Sequence, residues 1–221
     1  FTTLLAVLLC SVFSSLAGDI NGRVLLVGTP PPETKINLDR HPELAEKYPG
    51  GLTTRRYQTG DGGGLQNVMV FLRGDFKGIQ FDAPKADATI THQDGLFSPY
   101  VMGVRAGHKM ALQHPEGSVI SADAKVNVGF SKLGMSPHIF QKPEVGIRMK
   151  CSCHLWSYAY VSVFDHPFFA VTDKDGKYRI TGVPPGRFTV EAYHPKAGSF
   201  TNEVTVAEGE TMVADISVRP K

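Results

Sequence analysis

Short runs of apolar or alternating residues, separated by turn-forming residues, make up most of the chain. Alternation with a period of two, in segments rich in β-branched and aromatic residues, is typical of β-strands. A helix is predicted only at 41–48, where Pro42 stands near the start and Gly50 and Gly51 follow the end. Strands are predicted at 20–27, 67–72, 88–91, 100–104, 109–113, 125–130, 145–149, 157–164, 178–180, 187–193, 202–206 and 211–218. So many short strands predict an all-β protein made of sandwiches.

Composition agrees with a turn-rich β protein. The 221 residues are 42% hydrophobic and 20% charged, and they include 23 glycines and 15 prolines. Such a chain can bury a core, and its glycine and proline content argues against a helical bundle. The formal net charge is only +2, without a long run of one sign. A basic face for nucleic acid is therefore not expected.

Residues 1–17 form an apolar stretch without charge, which ends in the small residues Ser15 and Ala17. This pattern predicts a signal peptide cleaved before Gly18, and a periplasmic or secreted protein. The stretch is shorter than the ~20 residues that span a bilayer, so no transmembrane segment is expected after cleavage. A lipoprotein anchored at Cys10 is the poorer alternative, because the bulky Leu9 precedes that cysteine.

Cleavage would leave two cysteines, Cys151 and Cys153, only one residue apart. This spacing is poor for a disulfide between them, so they are either a strained redox pair or metal ligands. Cys151 and His154 could share one ion if the chain turns between them, because three residues along a straight strand they would face opposite sides.

Several motifs around these residues resemble a known family. The motifs are Gly95, 97–101, 104–107, Lys150-Cys151-x-x-His154-x-Trp156 and 158–161. Together they resemble plastocyanin-like cupredoxins, and more closely the bacterial secreted group called plastocyanin-like or methylamine utilization proteins. In that group a cupredoxin-like stretch runs into a second domain. The segments 166–178, 183–186 and 193–195 resemble that domain, a carboxypeptidase regulatory-like (transthyretin-like) β-sandwich.

The resemblance implies a copper site formed by His, Cys, His and Met. The region expected to carry the first histidine, 117–123, has none, and Ile120 or Asp123 takes its place, while Ser157 stands where the methionine is expected. A degenerate copper site is therefore predicted, with any metal held by Cys151, His154 and Cys153. Residues that could complete the ligand shell are His114, His138, Met149 and Asp123.

The resemblance also predicts the domain organisation. After the signal peptide (1–17), residues 18–77 would begin the regulatory-like sandwich, 78–165 would form an inserted cupredoxin-like domain, and 166–221 would complete the sandwich. The alternative is a plain tandem in which 68–72 is the first cupredoxin strand.

Two functions remain open from the sequence. The first is a non-enzymatic, exported cupredoxin-like protein that handles copper or exchanges electrons with a periplasmic redox protein. The second is a metal-free binding module that associates with protein or carbohydrate at the cell surface. An enzyme is not expected, because G-x-S-x-G, H-E-x-x-H and P-loop motifs are missing from the sequence. Trp156 is expected to pack in the core, and Arg55-Arg56 to be solvated in a loop.

Overall fold

The fold consists almost entirely of β-strands, which confirms the predicted all-β class. The computed structural model describes residues 16–114, 120–123, 128–130 and 134–221, so most of the predicted signal peptide and part of the predicted strand 125–130 lie outside the described residues. Besides one helix, α1 (Pro42–Lys47), and a single 3-10 turn (Asp61–Gly63), the described elements are the strands β1 (Gly18–Leu26), β2 (Met69–Arg73), β3 (Ala88–Gln93), β4 (Leu96–Ser98), β5 (Val101–Arg105), β6 (Lys109–His114), β7 (Ile120–Asp123), β8 (Val128–Phe130), β9 (Gly134–Ile139), β10 (Glu144–Cys151), β11 (Tyr158–Phe164), β12 (Phe169–Val171), β13 (Lys177–Val183), β14 (Gly186–His194), β15 (Gly198–Val206), β16 (Thr211–Val213) and β17 (Ile216–Val218).

The first and last parts of the chain form one pair of sheets. Strand β1 pairs antiparallel with β13 and parallel with β16 and β17. The facing sheet has the order β12-β2-β14-β15. Apolar residues from both sheets share one core, among them Ile20, Val24, Val70, Leu72 and Val190. Two sheets packed face to face over such a core form a β-sandwich.

The middle of the chain forms a second pair of sheets with its own core. One sheet has the order β5-β11-β10-β7-β8, and the other has the order β4-β3-β6-β9. The core between them includes Ile90, Phe97, Leu112, Met149 and Val161. Strands β3–β11 therefore pair among themselves, while the strands before and after them pair with each other.

These pairings bear on the domain organisation. Because β1 and β2 pair with strands from the end of the chain, we propose that the middle part is inserted between two halves of the first sandwich. The boundaries 18–77, 78–165 and 166–221 stay a prediction. Pairing of β1 within the middle sandwich would argue for a tandem, but the described partners of β1 are β13, β16 and β17.

Strand β2 joins the two sandwiches. Its side chains alternate between two cores, since Val70 and Leu72 enter the core of the first sandwich. Met69 and Phe71 point the other way, into a smaller cluster with residues of the middle sandwich, including Tyr160 and Phe164. A strand buried on both faces has a continuous apolar sequence. This explains why Met69–Leu72 shows no polar alternation.

The segment between β1 and β2 lies against the middle sandwich. Its helix α1 is attached to the β3–β4 turn, where the Lys47 ammonium pairs with the Asp94 carboxylate and the Tyr48 hydroxyl donates to the Asp94 carbonyl at 3.4 Å. Leu44 of the helix is buried against the same turn, beside Gly95. Among the described residues, no helix is long enough and apolar enough to cross a membrane.

Candidate metal centre

The loop after β10 makes the turn that Cys151 and His154 need to approach one another. The Ser157 amide donates to the His154 carbonyl at 2.7 Å, and the Cys151 amide donates to the Ser157 carbonyl at 3.4 Å. These bonds close the loop between β10 and β11, residues 152–157, which we call the ligand loop. The imidazole of His154 is thereby brought back to the thiol of Cys151.

The geometry of this pair suits a shared metal ion. Cys151 Sγ lies 3.6 Å from His154 Nδ1. A thiolate at ~2.3 Å and an imidazole at ~2.0 Å from one tetrahedral ion are about 3.5 Å apart, close to the observed distance. The His154 amide also donates to Cys151 Sγ at 3.4 Å, so the backbone of the loop holds the sulfur in place.

The third member of the centre is His92, on β3. Its ring nitrogen, Cys151 Sγ and a ring nitrogen of His154 all lie within 4.8 Å of one another, and all three residues are buried. The first histidine was expected at 117–123, where the sequence has none, and the structure instead places His92 beside Cys151 and His154. Residues 117–119 lie outside the described residues, Ile120 is buried in the core, and Asp123 forms ion pairs.

A signal for His92 was present in the sequence. The predicted strand ended at Thr91, whereas β3 continues to Gln93. In a strand, residues two apart share a face. Extending the strand places His92 beside Ile90 on the buried face, and the Asp94-Gly95 turn follows.

The environment of His92 fits a metal ligand. Within the described residues neither of its ring nitrogens has a hydrogen-bond partner, although both are fully buried. Buried polar atoms are nearly always paired, so this imidazole lacks a partner that a metal ion would supply. Burial, reinforced by His154 and His114, lowers the pKa of His92 to about 4. Its imidazole is therefore neutral at pH 7, which is the form that binds metals.

The other residues predicted for the site are not members of the His92–Cys151–His154 group. Cys153 is exposed, its Sγ lies 3.8 Å from Ser152 Oγ, and it is not a member of the His92–Cys151–His154 group. Met149 packs in the core of the middle sandwich, and His138 packs against Phe140. His114 is buried at the end of β6, near His92. Asp123 binds Arg148 and Lys150.

Two aromatic rings cover the outer side of His154. The ring centroids of His41 and Trp156 lie 5.0 and 5.3 Å from that of His154, and they lie 5.0 Å from each other. The Trp156 indole N–H donates to the Gly95 carbonyl at 3.2 Å, which fixes the ring. His154 is left only 9% exposed. Trp156 thus packs beside a candidate ligand, at the surface rather than in the core.

The comparison with family models agrees with the second resemblance seen in the sequence. Residues 155–219 match the family model of the carboxypeptidase regulatory-like domain. This match includes β11, which pairs with the middle sandwich, as well as β12–β17. A search of curated proteins found no match.

Similar solved structures are cupredoxins or contain copper. The purple cupredoxin from Nitrosopumilus maritimus is 20% identical, with a TM-score of 0.29, over 35% of this chain and 100% of its own. A reduced amicyanin variant is 11% identical, with a TM-score of 0.31, over 38% and 87% of the two chains. The Cu-containing nitrite reductase from Thermus scotoductus SA-01 is 16% identical, with a TM-score of 0.31, over 42% of this chain and 26% of its own.

Proposed function

We propose that the chain binds one copper ion through His92, Cys151 and His154 and passes single electrons to a redox partner. The observation that carries this proposal is the convergence of the three buried side chains within 4.8 Å. Two imidazoles and one thiolate are the ligand set of electron-transfer copper centres. Copper bound by such a set cycles between its cuprous and cupric states.

The packing around the three proposed ligands supports electron transfer, because it shields a bound ion from water. Burial of all three ligands, together with the cover of His41 and Trp156, keeps water away from the site. A preformed and shielded ligand set favours electron transfer over chemistry on a bound substrate. We therefore propose that the protein is not an enzyme. The uncharged apolar residues 1–17 support a periplasmic or secreted location.

The proposed ligand set differs from the degenerate site that the sequence predicted. His92 provides the histidine that the sequence analysis did not find, and Cys153 is not needed. The methionine expected at Ser157 is absent. Instead, the Ser157 backbone closes the ligand loop through its bonds to His154 and Cys151.

The test is an anaerobic copper titration of the reduced, metal-free protein, followed by oxidation and absorption spectroscopy. We expect one copper per chain and an intense visible thiolate-to-copper band. The variant Cys151→Ser should lose the band, and His92→Leu should weaken copper binding at least tenfold. Cys153→Ser is the matched control, because it removes an exposed thiol two residues away and should behave as the unmodified chain.

Thermal unfolding by circular dichroism shows whether each variant is folded. Loss of the band in folded Cys153→Ser but not in folded Cys151→Ser would overturn the proposed ligand set. Absence of copper binding by the folded, unmodified chain would leave the metal-free binding module as the function.

A further inference from the structure

A cavity lies next to the ligand loop, at a junction of several segments. Its volume is about 240 Å³. The lining comes from the segment before β2, from the start of the middle sandwich, from the ligand loop and from the β14–β15 turn. The lining residues used below are Arg55, Arg56, Tyr100, Trp156, Tyr158 and Lys196. Trp156 connects this cavity to the candidate metal centre, since its ring also packs on His154.

Positive charge is concentrated in this cavity. Arg55, Arg56 and Lys196 line it, and among the described ion pairs none involves these three residues. Among the described residues, no aspartate or glutamate lines the cavity. The nearby Glu33 carboxylate is engaged by the Thr54 hydroxyl and the Tyr57 amide.

Arg55 is held rigidly and is not the solvated residue that the sequence suggested. Its guanidinium donates to the Phe97 carbonyl at 3.1 Å and lies 4.6 Å from the centre of the Tyr100 ring. Burial lowers the pKa of Arg55, because the charged guanidinium loses part of its contact with water. A desolvated cation without a carboxylate partner interacts strongly with an anion that enters its site.

Aromatic side chains form another part of the cavity lining. Tyr100, Trp156 and Tyr158 all line it, and Trp156 is fixed by its bond to Gly95. Flat aromatic rings provide large contact areas for a flat or ring-shaped ligand. Since drug-sized ligands occupy about 300–1,000 Å³, this cavity is suited to a ligand with a single ring.

We propose that this cavity binds a small organic anion that consists of one ring with a carboxylate. The carboxylate contacts the cations of Arg55, Arg56 and Lys196. The ring packs on Trp156 and Tyr158. The shared chemistry is one ring that carries one carboxylate. An aromatic acid and an acidic monosaccharide both have it. This inference does not depend on copper binding.

Trp156 provides a direct measurement, because it is the single tryptophan of the chain. Its fluorescence is followed while the reduced, metal-free protein is titrated with benzoate or with glucuronate, to tell the two sources apart. We expect a saturable change with at least one of these anions, and a dissociation constant that increases with salt. The neutral counterparts, benzamide and glucose, should bind at least tenfold more weakly.

Charge-removing variants identify the site. Arg56→Gln and Lys196→Gln should each weaken binding of the carboxylate about tenfold, whereas Lys142→Gln is a matched control outside the cavity lining and should have no effect. Lack of a response to both acids, or equal binding of the neutral compounds, would overturn the proposal. Unchanged affinity in both cavity variants would do so as well. None of these outcomes affects the copper titration, because the experiment uses metal-free protein.

Discussion

Arg73 and Glu191 form an ion pair across strands β2 and β14, in which the Arg73 Nε–H donates to the Glu191 carboxylate. The two ends of the pair differ in exposure: the Glu191 side chain is 4% exposed and the Arg73 side chain 64%. The arginine therefore acts as the polar partner of a carboxylate that has lost its water. Removing only that partner leaves a buried charge unpaired.

We predict that Arg73→Met lowers the free energy of unfolding by about 1–3 kcal/mol, because the Glu191 carboxylate loses its partner. The double variant Arg73→Met with Glu191→Gln should lose less, since a neutral amide is cheaper to bury. Urea unfolding at pH 7 measures both. As a control, Arg187→Met should change stability by less than about 0.5 kcal/mol, because exposed pairs contribute little. Arg187 lies 3.9 Å from an exposed Glu203. Equal losses in the single and double variants would contradict this interpretation.

At the scale of elements, the β14–β15 hairpin depends on the neutral form of His194. The imidazole Nδ1 accepts from the amides of Lys196 and Ala197 at 3.3 and 3.1 Å, and the ring stacks on Tyr57 at 4.9 Å. Burial lowers the pKa of His194 to about 4, while a bond to the Arg56 backbone acts in the opposite direction. Protonation of Nδ1 would remove the acceptor that closes the turn.

The stability of the protein should therefore decrease as the pH falls from about 6.5 towards 4. In that range the unfolded chain binds a proton at His194 that the folded chain does not, so the unfolding free energy rises with pH. One such proton contributes up to ~1.4 kcal/mol per pH unit. We predict a smaller pH slope for His194→Asn, whose side-chain oxygen still accepts from the turn. His92 titrates in both metal-free proteins, and its contribution cancels in the difference. Equal slopes by urea unfolding between pH 7 and 5 would refute the assignment.

Strands β4, β9 and β12 were not predicted from the sequence, for two physical reasons. Strand β9 contains Gly134 and Pro137, which read as turn residues in the sequence. However, β9 lies at the edge of its sheet, where its described partner is β6. An edge strand tolerates proline because one side of its backbone needs no partner. Strands β4 and β12 have three residues each, which is too short for a periodic signal.

At the scale of the whole molecule, the two sandwiches touch closely at Gly146. This residue of β10 has a φ of +76°, at the point where the register with β11 shifts. A Cβ added there would lie 2.3 Å from the Tyr193 hydroxyl oxygen, on β14 of the other sandwich. Glycine is thus required both for the backbone conformation and for the approach of the two units.

Two glycine-to-alanine variants separate these effects. Gly107 has a nearly identical φ of +74°, but a Cβ there would meet nothing within 4 Å. We predict that Gly107→Ala lowers the unfolding free energy by about 1 kcal/mol through the strained φ. Gly146→Ala should lose about 1–3 kcal/mol more, through overpacking against Tyr193. Denaturant unfolding measures the unfolding free energy of both variants. Similar losses in the two variants would contradict the close contact of the two sandwiches at Gly146.

The sequence by itself determined the all-β class, most strands, the resemblance to two families and two residues of the candidate metal centre, Cys151 and His154. These properties follow from local periodicity, from turn residues and from ligands only three positions apart. The tertiary structure decided the rest, because the remaining partners are distant in sequence. Packing of the sheet that contains β3 against the sheet that contains β10 brings His92 to Cys151, 59 positions away. Likewise, Arg55 and Lys196 share one cavity only because the chain returns to its first sandwich after building the second.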